Sequence, residues 1–383
     1  MRQPLKDLAA ICAGQGAPQG DHNYCENGTP FVKAGNLQEL LEGKAITSIQ
    51  KVSDEVAKKH KLRLYPKGTI LFAKSGMSCM KGYIYVLPQS AYVVSHLACI
   101  TPNEDISEYL RYYFNYHKPN QLVKDAAYPS ISLSDVGNLV VDMKPESERN
   151  EIVSVLQHTE SIITLRQRQL QKLDELVKAR FIELFGDPLG NDKGWQKALI
   201  AEVCNAIFGG GTPSKSHPEY FAGSIPWVSP KDMKSSVIND SIDHITEEAI
   251  AHSTTNLVPA NSVLMVIRSG ILKHTLPVAV NSLPVTINQD MKAFVPNETV
   301  KTAFLLYFFK AIENDVLAGV RGVTADNIDF KAFQKRTIIV PPLALQEQFV
   351  AFVTQADKSK VAVQKALDEA QLLFDSLMQK YFG

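Results

Sequence analysis

The sequence predicts an α+β fold in which two mixed α/β globules alternate with two long helices. Two observations lead to this prediction. The residues before Gly383 resemble those before Gly186 at a fixed offset of 197 positions, without a gap, over about 40 residues. Both stretches also carry apolar residues at alternating spacings of four and three, which is typical of helices packed along their length.

Composition and charge limit the classes to which the chain can belong. Of its 383 residues, 45% are hydrophobic and 21% are charged, which excludes a disordered chain and suffices for two or three domains. The chain has 40 Lys and Arg against 40 Asp and Glu. A uniformly basic coat for nucleic acid is therefore excluded, while local basic surfaces are not.

The apolar runs and the cysteines give further limits. No apolar run approaches the roughly 18 residues that span a bilayer, and the first residues lack the apolar core of a signal peptide. We therefore expect a cytoplasmic protein with no membrane partner. The 5 cysteines are scattered and form no Cys-x-x-Cys pair, which argues against a disulfide framework or a structural zinc.

The two predicted helices have clear limits. Ten heptad positions lie between residues 152 and 184, and ten more between 349 and 381. Pro145 and Pro342 precede the helices, where proline is tolerated, and Gly186 is a stop signal for the first. Each helix of about 36 residues is roughly 55 Å long, or about one and a half turns of DNA. Ordinary long core helices of one fused domain are the alternative.

The globules before the helices also correspond, although more loosely. Three stretches of the first resemble three of the second at offsets near that of the helices, and small shifts indicate insertions in loops. These pairs are 29–32 with 225–228, 68–76 with 262–270, and 109–116 with 304–311. The predicted domains are 1–146, 147–186, 187–343 and 344–383.

Several motifs taken together resemble one known family, the specificity subunits of type I restriction-modification enzymes. The motifs are Gly209-Gly210-Gly211-Thr212-Pro213-Ser214, Ile225-Pro226-Trp227-Val228, Val340-Pro341-Pro342-Leu343, Gln346-Glu347-Gln348 and the run 173–181. The resemblance covers essentially the whole chain. The first globule departs from it, since Gly14-Gln15-Gly16-Ala17-Pro18 only approximates the glycine-rich opening of the second.

This resemblance implies a DNA-reading adaptor without catalysis of its own. Each globule would be a target-recognition domain that reads one half of a split, asymmetric site in double-stranded DNA. The helices would pack as an antiparallel coiled coil with pseudo-twofold symmetry and hold the two domains apart. Two methyltransferase subunits would supply S-adenosylmethionine, and motor-nuclease subunits would use ATP and Mg²⁺ for restriction, so no cofactor is expected in this chain.

The motifs of an enzyme are missing from the sequence. The order of residues 209–215 does not fit a phosphate-binding Gly-x-x-x-x-Gly-Lys-Ser/Thr loop. No Asp/Asn-Pro-Pro-Tyr/Phe tetrapeptide of the adenine methyltransferases occurs, and the 9 histidines include no His-x-x-x-His pair for a metal. These features argue against a nucleic-acid enzyme that acts alone.

The glycine-rich stretch that opens the second globule has two interpretations. Its backbone N–H groups and hydroxyls are suited to approach a phosphate, with Lys215 adding charge. Glycine and proline equally favour a plain turn between two strands, and the sequence leaves both open. The candidate DNA contacts here are Thr212, Ser214 and Lys215.

Two apolar runs end in a cation, a hydroxyl and a glycine at equivalent places in the two globules. They end in Lys74-Ser75-Gly76 and Arg268-Ser269-Gly270. Such a strand end can deliver a side chain to a base edge or a phosphate. Arg268 is the better base reader, because arginine recognises guanine through two hydrogen bonds. A solvated strand end is the alternative.

Further candidates lie beyond other predicted strands. Phe31 and Trp227 sit in apolar contexts and are interpreted as core anchors rather than as platforms for stacked bases. Polar residues that follow them, and others near the two strand ends, are candidate DNA contacts. These are Lys33, Asn36, Lys231, Tyr128 and Lys273, with Gln289 and Asp290 as weaker candidates.

Two alternatives to a type I specificity subunit stay open at this stage. The same subunit could serve a modification-only or type II-like system, because the nuclease lies in another chain. A coiled-coil scaffold that binds proteins and not DNA is a different class. Salt would separate it, because specific DNA binding weakens steeply with ionic strength while apolar helix association does not.

Overall fold

The computed structural model describes residues 1–320 and 326–383, which form two units. Unit 1 comprises Met1–Arg166 and Ala366–Gly383, and unit 2 comprises Gln167–Lys365. Each unit therefore contains one globule, part of the first long helix and part of the second. The fold is mixed α/β, as the sequence predicted.

Unit 1 contains three small sheets. A four-stranded antiparallel sheet has the order β2-β8-β5-β6, a three-stranded sheet has the order β4-β3-β7, and β1 pairs with β9. The strands are β1 (Arg2–Pro4), β2 (Ala9–Ala13), β3 (Thr29–Val32), β4 (Lys51–Val52), β5 (Ile70–Ala73), β6 (Tyr85–Val86), β7 (Tyr92–Val93), β8 (Leu97–Pro102) and β9 (Val140–Asp142). The helices are α1 (Leu5–Leu8), α2 (Asn36–Leu41), α3 (Asp54–Lys59), α4 (Ser107–Tyr116), α5 (Leu133–Gly137) and the long α6 (Glu146–Phe185).

Unit 2 repeats this topology. Its sheets have the orders β11-β18-β15-β16-β13, β14-β12-β17 and β10-β19, so β13 is the one additional strand among its described residues. The strands are β10 (Gln196–Leu199), β11 (Cys204–Gly209), β12 (Ile225–Val228), β13 (Val237–Ile238), β14 (His244–Ile245), β15 (Val263–Val266), β16 (Val278–Asn281), β17 (Thr286–Ile287), β18 (Met291–Pro296) and β19 (Thr337–Val340). The helices are α7 (Glu247–Ala251), α8 (Thr302–Ala311), α9 (Glu313–Ala318), α10 (Phe330–Gln334) and the long α11 (Leu343–Phe382).

One central strand of each main sheet is apolar at every position. All four residues of β5 and all four of β15 are buried, because both faces of these strands are covered. Aromatic pairs join these layers: the rings of Phe72 and Phe114 lie 5.5 Å apart in unit 1, and those of Phe294 and Phe309 lie 5.0 Å apart in unit 2. Short apolar runs therefore form strands here because both faces are covered.

The long helices confirm the heptad prediction. None of the ten heptad positions in α6, and none of the ten in α11, is exposed. Gly186 adopts φ 75°, and its N–H donates to the Ile182 carbonyl at 2.7 Å, which closes α6 where the sequence predicted. The one charged heptad position of α11, Lys360, donates its ammonium to Asp174 at 2.7 Å. That ion pair allows a lysine to stand in the seam.

The two long helices pack antiparallel within each unit. In unit 1, Ile152 near the start of α6 shares a core with Phe382 at the end of α11. In unit 2, Phe181 near the end of α6 lies 5.5 Å, ring to ring, from Phe349 near the start of α11. No helix of the described residues is both long enough and apolar enough to cross a membrane.

Candidate nucleic-acid interface

In unit 2, three turns meet at one end of the main sheet. The first follows β11, the second follows β15, and the third joins β17 to β18. The glycine turn lies against the third turn: the N–H of Gly211 donates to the Ile287 carbonyl at 3.0 Å. A Cβ on Gly210 would overlap the carbonyl oxygen of Asn288, so glycine is required there by the close approach of two backbones.

Arg268 occupies the middle of this cluster. Its Nε and Nη2 both donate to Asp290 Oδ1 at 2.6 Å, and the Arg268 side chain is 47% exposed. The other oxygen of Asp290 accepts from the buried side-chain amide of Asn288 at 3.3 Å. The backbone of Arg268 also pairs with Asn327 as an isolated β-bridge. Arg268 is therefore held from both the backbone and the side chain while remaining open to solvent.

The other unit 2 candidates differ in the contacts that they make. The Thr212 hydroxyl donates to Gln289 across the glycine turn. Ser269 accepts from the Ile271 N–H at 3.4 Å and so caps a short turn, while the exposed Lys273 ammonium is 3.9 Å from Asp326. The remaining three are exposed: Ser214, which bonds Ser216, Lys215, and Lys231 in the turn after β12.

Positive charge is concentrated beside Arg268. A cavity of about 820 Å³ is lined by Arg268, Lys292, Lys331 and Arg336, with Asp329 as the only carboxylate among its described lining residues. The Lys292 ammonium lies 4.8 Å over the ring of Phe330. Both arginines are paired with carboxylates outside this lining, so Lys292 and Lys331 are the charges suited to a phosphate backbone.

Unit 1 has the same three turns with different side chains. The N–H of Gly14, after β2, donates to the Leu97 carbonyl at 3.0 Å, and a Cβ on Gly14 would overlap the Val94 carbonyl oxygen. Gly14 thus corresponds to Gly210, although the two sequences match poorly here. Glycine is therefore required only at the one position where the two backbones approach each other closely, and a run of three glycines is not required.

The strand-end candidates of unit 1 lie at the position of Arg268. The N–H of Lys74 donates to the His96 carbonyl at 2.9 Å, and Ser75 Oγ is 2.9 Å from His96 Nδ1. The residue that corresponds to Asp290 is therefore His96. Ser75 also bridges Ser130, and the neighbouring Tyr128 is 82% exposed, so Tyr128 borders the cluster.

Lys33 and Asn36 lie in the turn after β3 and contact each other. Asn36 Oδ1 accepts from the Lys33 N–H at 2.8 Å, and the Lys33 ammonium bonds Gln50 at 2.6 Å and lies over the ring of Tyr24. This turn adjoins the cluster, because Val32 at the end of β3 accepts from the N–H of Val94.

The two aromatics interpreted as anchors serve the cores. Phe31 is fully buried in unit 1. Trp227 is half-buried in unit 2, packs edge-on against Phe221, and donates from Nε1 to the Gly211 carbonyl at 3.0 Å. Trp227 thereby fixes the glycine turn to the neighbouring sheet.

The sequence did not identify His96 and gave little weight to Asp290. Both residues precede the first residue of a central strand, but one is an imidazole and the other a carboxylate. Comparing the two halves of the chain therefore shows no shared residue at this position. The only available signal was the matched spacing from the strand-end cation, 22 residues in each half.

No catalytic or metal centre is evident in the part of the chain that the structure describes. There, no three His, Cys, Asp or Glu side chains are grouped so that they could hold a metal ion. Strong pKa shifts occur away from the turns. Burial is the largest cause at Lys310, where it lowers the pKa to about 8, and at Cys204, where it raises the pKa to about 12.

Comparisons with known proteins agree on one family. The family described as the type I restriction modification DNA specificity domain matches residues 2–175 and 192–370. A specificity subunit of the type I restriction enzyme EcoR124I/EcoR124II from Escherichia coli is 41% identical over 153 residues, which is 39% of this chain and 38% of that protein. That match thus spans well under two thirds of the relative.

Two further similarities extend over the whole chain. The specificity subunit of the type I restriction enzyme MjaIX from Methanocaldococcus jannaschii is 21% identical over 406 residues, covering 98% of this chain and 91% of that protein. The crystal structure of a type I restriction-modification S subunit from M. genitalium has a TM-score of 0.60 at 13% identity, covering 100% of this chain and 96% of the other. At that identity the likeness concerns the fold.

Proposed function

The chain belongs to the type I restriction-modification DNA specificity family, and on that premise we propose that it recognises a two-part, asymmetric DNA sequence and directs methyltransferase subunits to it. Catalysis in this proposal lies in other subunits. The chain itself supplies two DNA-recognition domains and the pair of long helices that joins them.

One observation carries the proposal. Each unit presents the same three turns at the end of the same sheet, but the side chains at corresponding positions differ. Lys74 faces His96 in unit 1, and Arg268 faces Asp290 in unit 2. Identical scaffolds with different side chains suit two readers of two different half-sites, since bases are distinguished by the donors and acceptors presented to them.

The long helices fit the role of a spacer between half-sites. Each is 40 residues, or about 60 Å at 1.5 Å per residue, which is roughly one and two thirds turns of DNA. Both helices contribute residues to both units, and most of their heptad positions are apolar. We infer that a helix pair of this length sets the length of the unread gap.

Pseudo-symmetry also supports two copies of one partner. Leu176 in α6 and Leu373 in α11 occupy equivalent places at the 197-residue offset, and they are 51% and 53% exposed. Matched exposed leucines offer the same apolar contact twice. We infer two methyltransferase subunits that bring S-adenosylmethionine, with motor-nuclease subunits using ATP and Mg²⁺ joining for restriction.

A methylation map tests the proposal. The chain would be co-expressed with the methyltransferase encoded beside it, in cells without other adenine methylation, and modified adenines mapped by long-read sequencing. We expect a split motif with a fixed gap that disappears when this chain is omitted. A continuous motif, or methylation independent of the chain, would contradict the proposal.

The experiment also separates the alternatives. A scaffold that binds only proteins gives a soluble complex without a sequence-specific pattern. A motif accompanied by cleavage of unmodified DNA in the full complex indicates a restriction system. A motif without cleavage indicates a modification-only system.

A further inference from the structure

The donors that Arg268 keeps available are the starting point. A guanidinium has five N–H groups, and here Nε and one N–H of Nη2 are directed to the same oxygen of Asp290. The other Nη2 hydrogen and those of Nη1 point away from that side. No second acceptor for Arg268 is present among residues 1–320 and 326–383. The free end is a parallel pair of N–H groups.

Such a free pair matches one base edge. In the major groove, guanine presents O6 and N7 side by side, and arginine bonds both at once. Asp290 fixes the roll of the guanidinium plane, and buried Asn288 fixes Asp290 in turn through a 3.3 Å hydrogen bond. The guanidinium is thus oriented for a two-bond contact before DNA binds, so little conformational entropy is lost on binding.

The carboxylate also decides between a base and a phosphate. A phosphate contact depends on net positive charge, and Asp290 offsets the charge of Arg268 at 2.6 Å. A phosphate would repel this carboxylate, so Asp290 weakens a contact that depends on charge. It orients the guanidinium, however, and so strengthens a contact that depends on the direction of the N–H groups. Lys292 and Lys331 beside the neighbouring cavity supply the charge instead.

Unit 1 has no guanidinium oriented by a carboxylate at the corresponding position. Its strand end carries Lys74, whose ammonium has no planar pair of donors, and the Asp290 position holds His96 bonded to Ser75. Resting on the proposed function, we propose that Arg268, oriented by Asp290, reads a guanine in the half-site bound by unit 2. Asp290 is a positioning residue, and the corresponding position of unit 1 reads differently.

The test uses the full chain purified with its methyltransferase subunit and a randomised library of DNA duplexes. Bound duplexes are sequenced for the wild type, Arg268→Lys and Asp290→Asn. We expect Arg268→Lys, which keeps the charge, to lower the preference for guanine at one position by about 5- to 150-fold, with all other positions unchanged. Asp290→Asn should broaden the same position and no other.

Two control variants define the outcome. Arg180→Lys alters another arginine of unit 2 that is paired with a carboxylate, Glu183, and should leave the motif intact. His96→Ala should change only the other half-site. An unchanged guanine preference in Arg268→Lys, or an equal loss of affinity for every sequence, overturns the guanine assignment but leaves the proposed function standing. A wild type that enriches no motif overturns the proposed function itself.

Discussion

Replacing Lys310 by methionine should stabilise unit 2 at neutral pH. Lys310 lies on α8, and its ammonium donates to Ser236 Oγ at 2.6 Å. Within the described part of the chain, no carboxylate is bonded to this ammonium. Burial lowers the pKa of Lys310 from 10.5 to about 8, and the nearby Lys360 lowers it further, while Asp174 raises it. The folded protein therefore binds this proton less tightly than the unfolded chain.

The size of the stabilisation, and the pH range over which it changes, follow from that pKa. The difference between a pKa of 10.5 and a pKa of about 8 corresponds to roughly 3 kcal/mol. Because the folded pKa is the lower one, this cost is fully present below pH 8 and is relieved as pH rises from 8 to 10.5. The substitution also removes the hydrogen bond to Ser236, which costs about 1 kcal/mol. We therefore expect the free energy of unfolding to rise by about 2 kcal/mol at pH 7.

Urea unfolding at several pH values measures the effect. The stability difference between Lys310→Met and the wild type should be largest at pH 7 and should shrink steadily through the window above pH 8. Lys335→Met, which changes an exposed lysine of the same unit, should show no such trend. A difference for Lys310→Met that is constant from pH 7 to 10 would show that the buried charge costs nothing and would refute the reasoning.

Three other substitutions give expected outcomes. Phe349→Ala removes a ring that packs on three other aromatic rings of unit 2 and should cost about 3–5 kcal/mol in chemical unfolding. Gly210→Ala should abolish recognition of one half-site in the methylation map, while Gly270→Ala, where a Cβ meets no atom within 4 Å, should preserve both. Glu160→Gln weakens the paired hydrogen bonds from the half-buried Arg111 and should lower the free energy of unfolding by about 1.5–3 kcal/mol in urea denaturation.

The long helices could be predicted from the sequence because their physical constraint is periodic. A seam must remain buried every three or four residues, so it leaves its mark at every turn of the helix. Even the exceptions are informative: Lys360 stands in the seam because Asp174 neutralises it, and Thr159 because its hydroxyl bonds the Val155 carbonyl. The repeated topology followed from the same offset.

The interface could be predicted only in part. Strand ends such as Lys74 and Arg268 were recognised because they follow apolar runs at equivalent places. Of their partners, His96 was not identified and Asp290 was only a weaker candidate, because the two halves carry different side chains at this position. Positions that differ between the halves leave no repeat signal, and hydrogen bonds across 22 residues are visible only in three dimensions.

The discontinuous make-up of unit 1 has a consequence for biosynthesis. Its core includes Met378 and Phe382, which the ribosome adds more than 200 residues after the strands of that unit. Nascent domains generally fold in the order of their translation, but here unit 2 has all its residues while unit 1 still lacks Ala366–Gly383. The first unit to be translated is therefore the last to be completed, and a premature stop near residue 366 would damage unit 1 rather than unit 2.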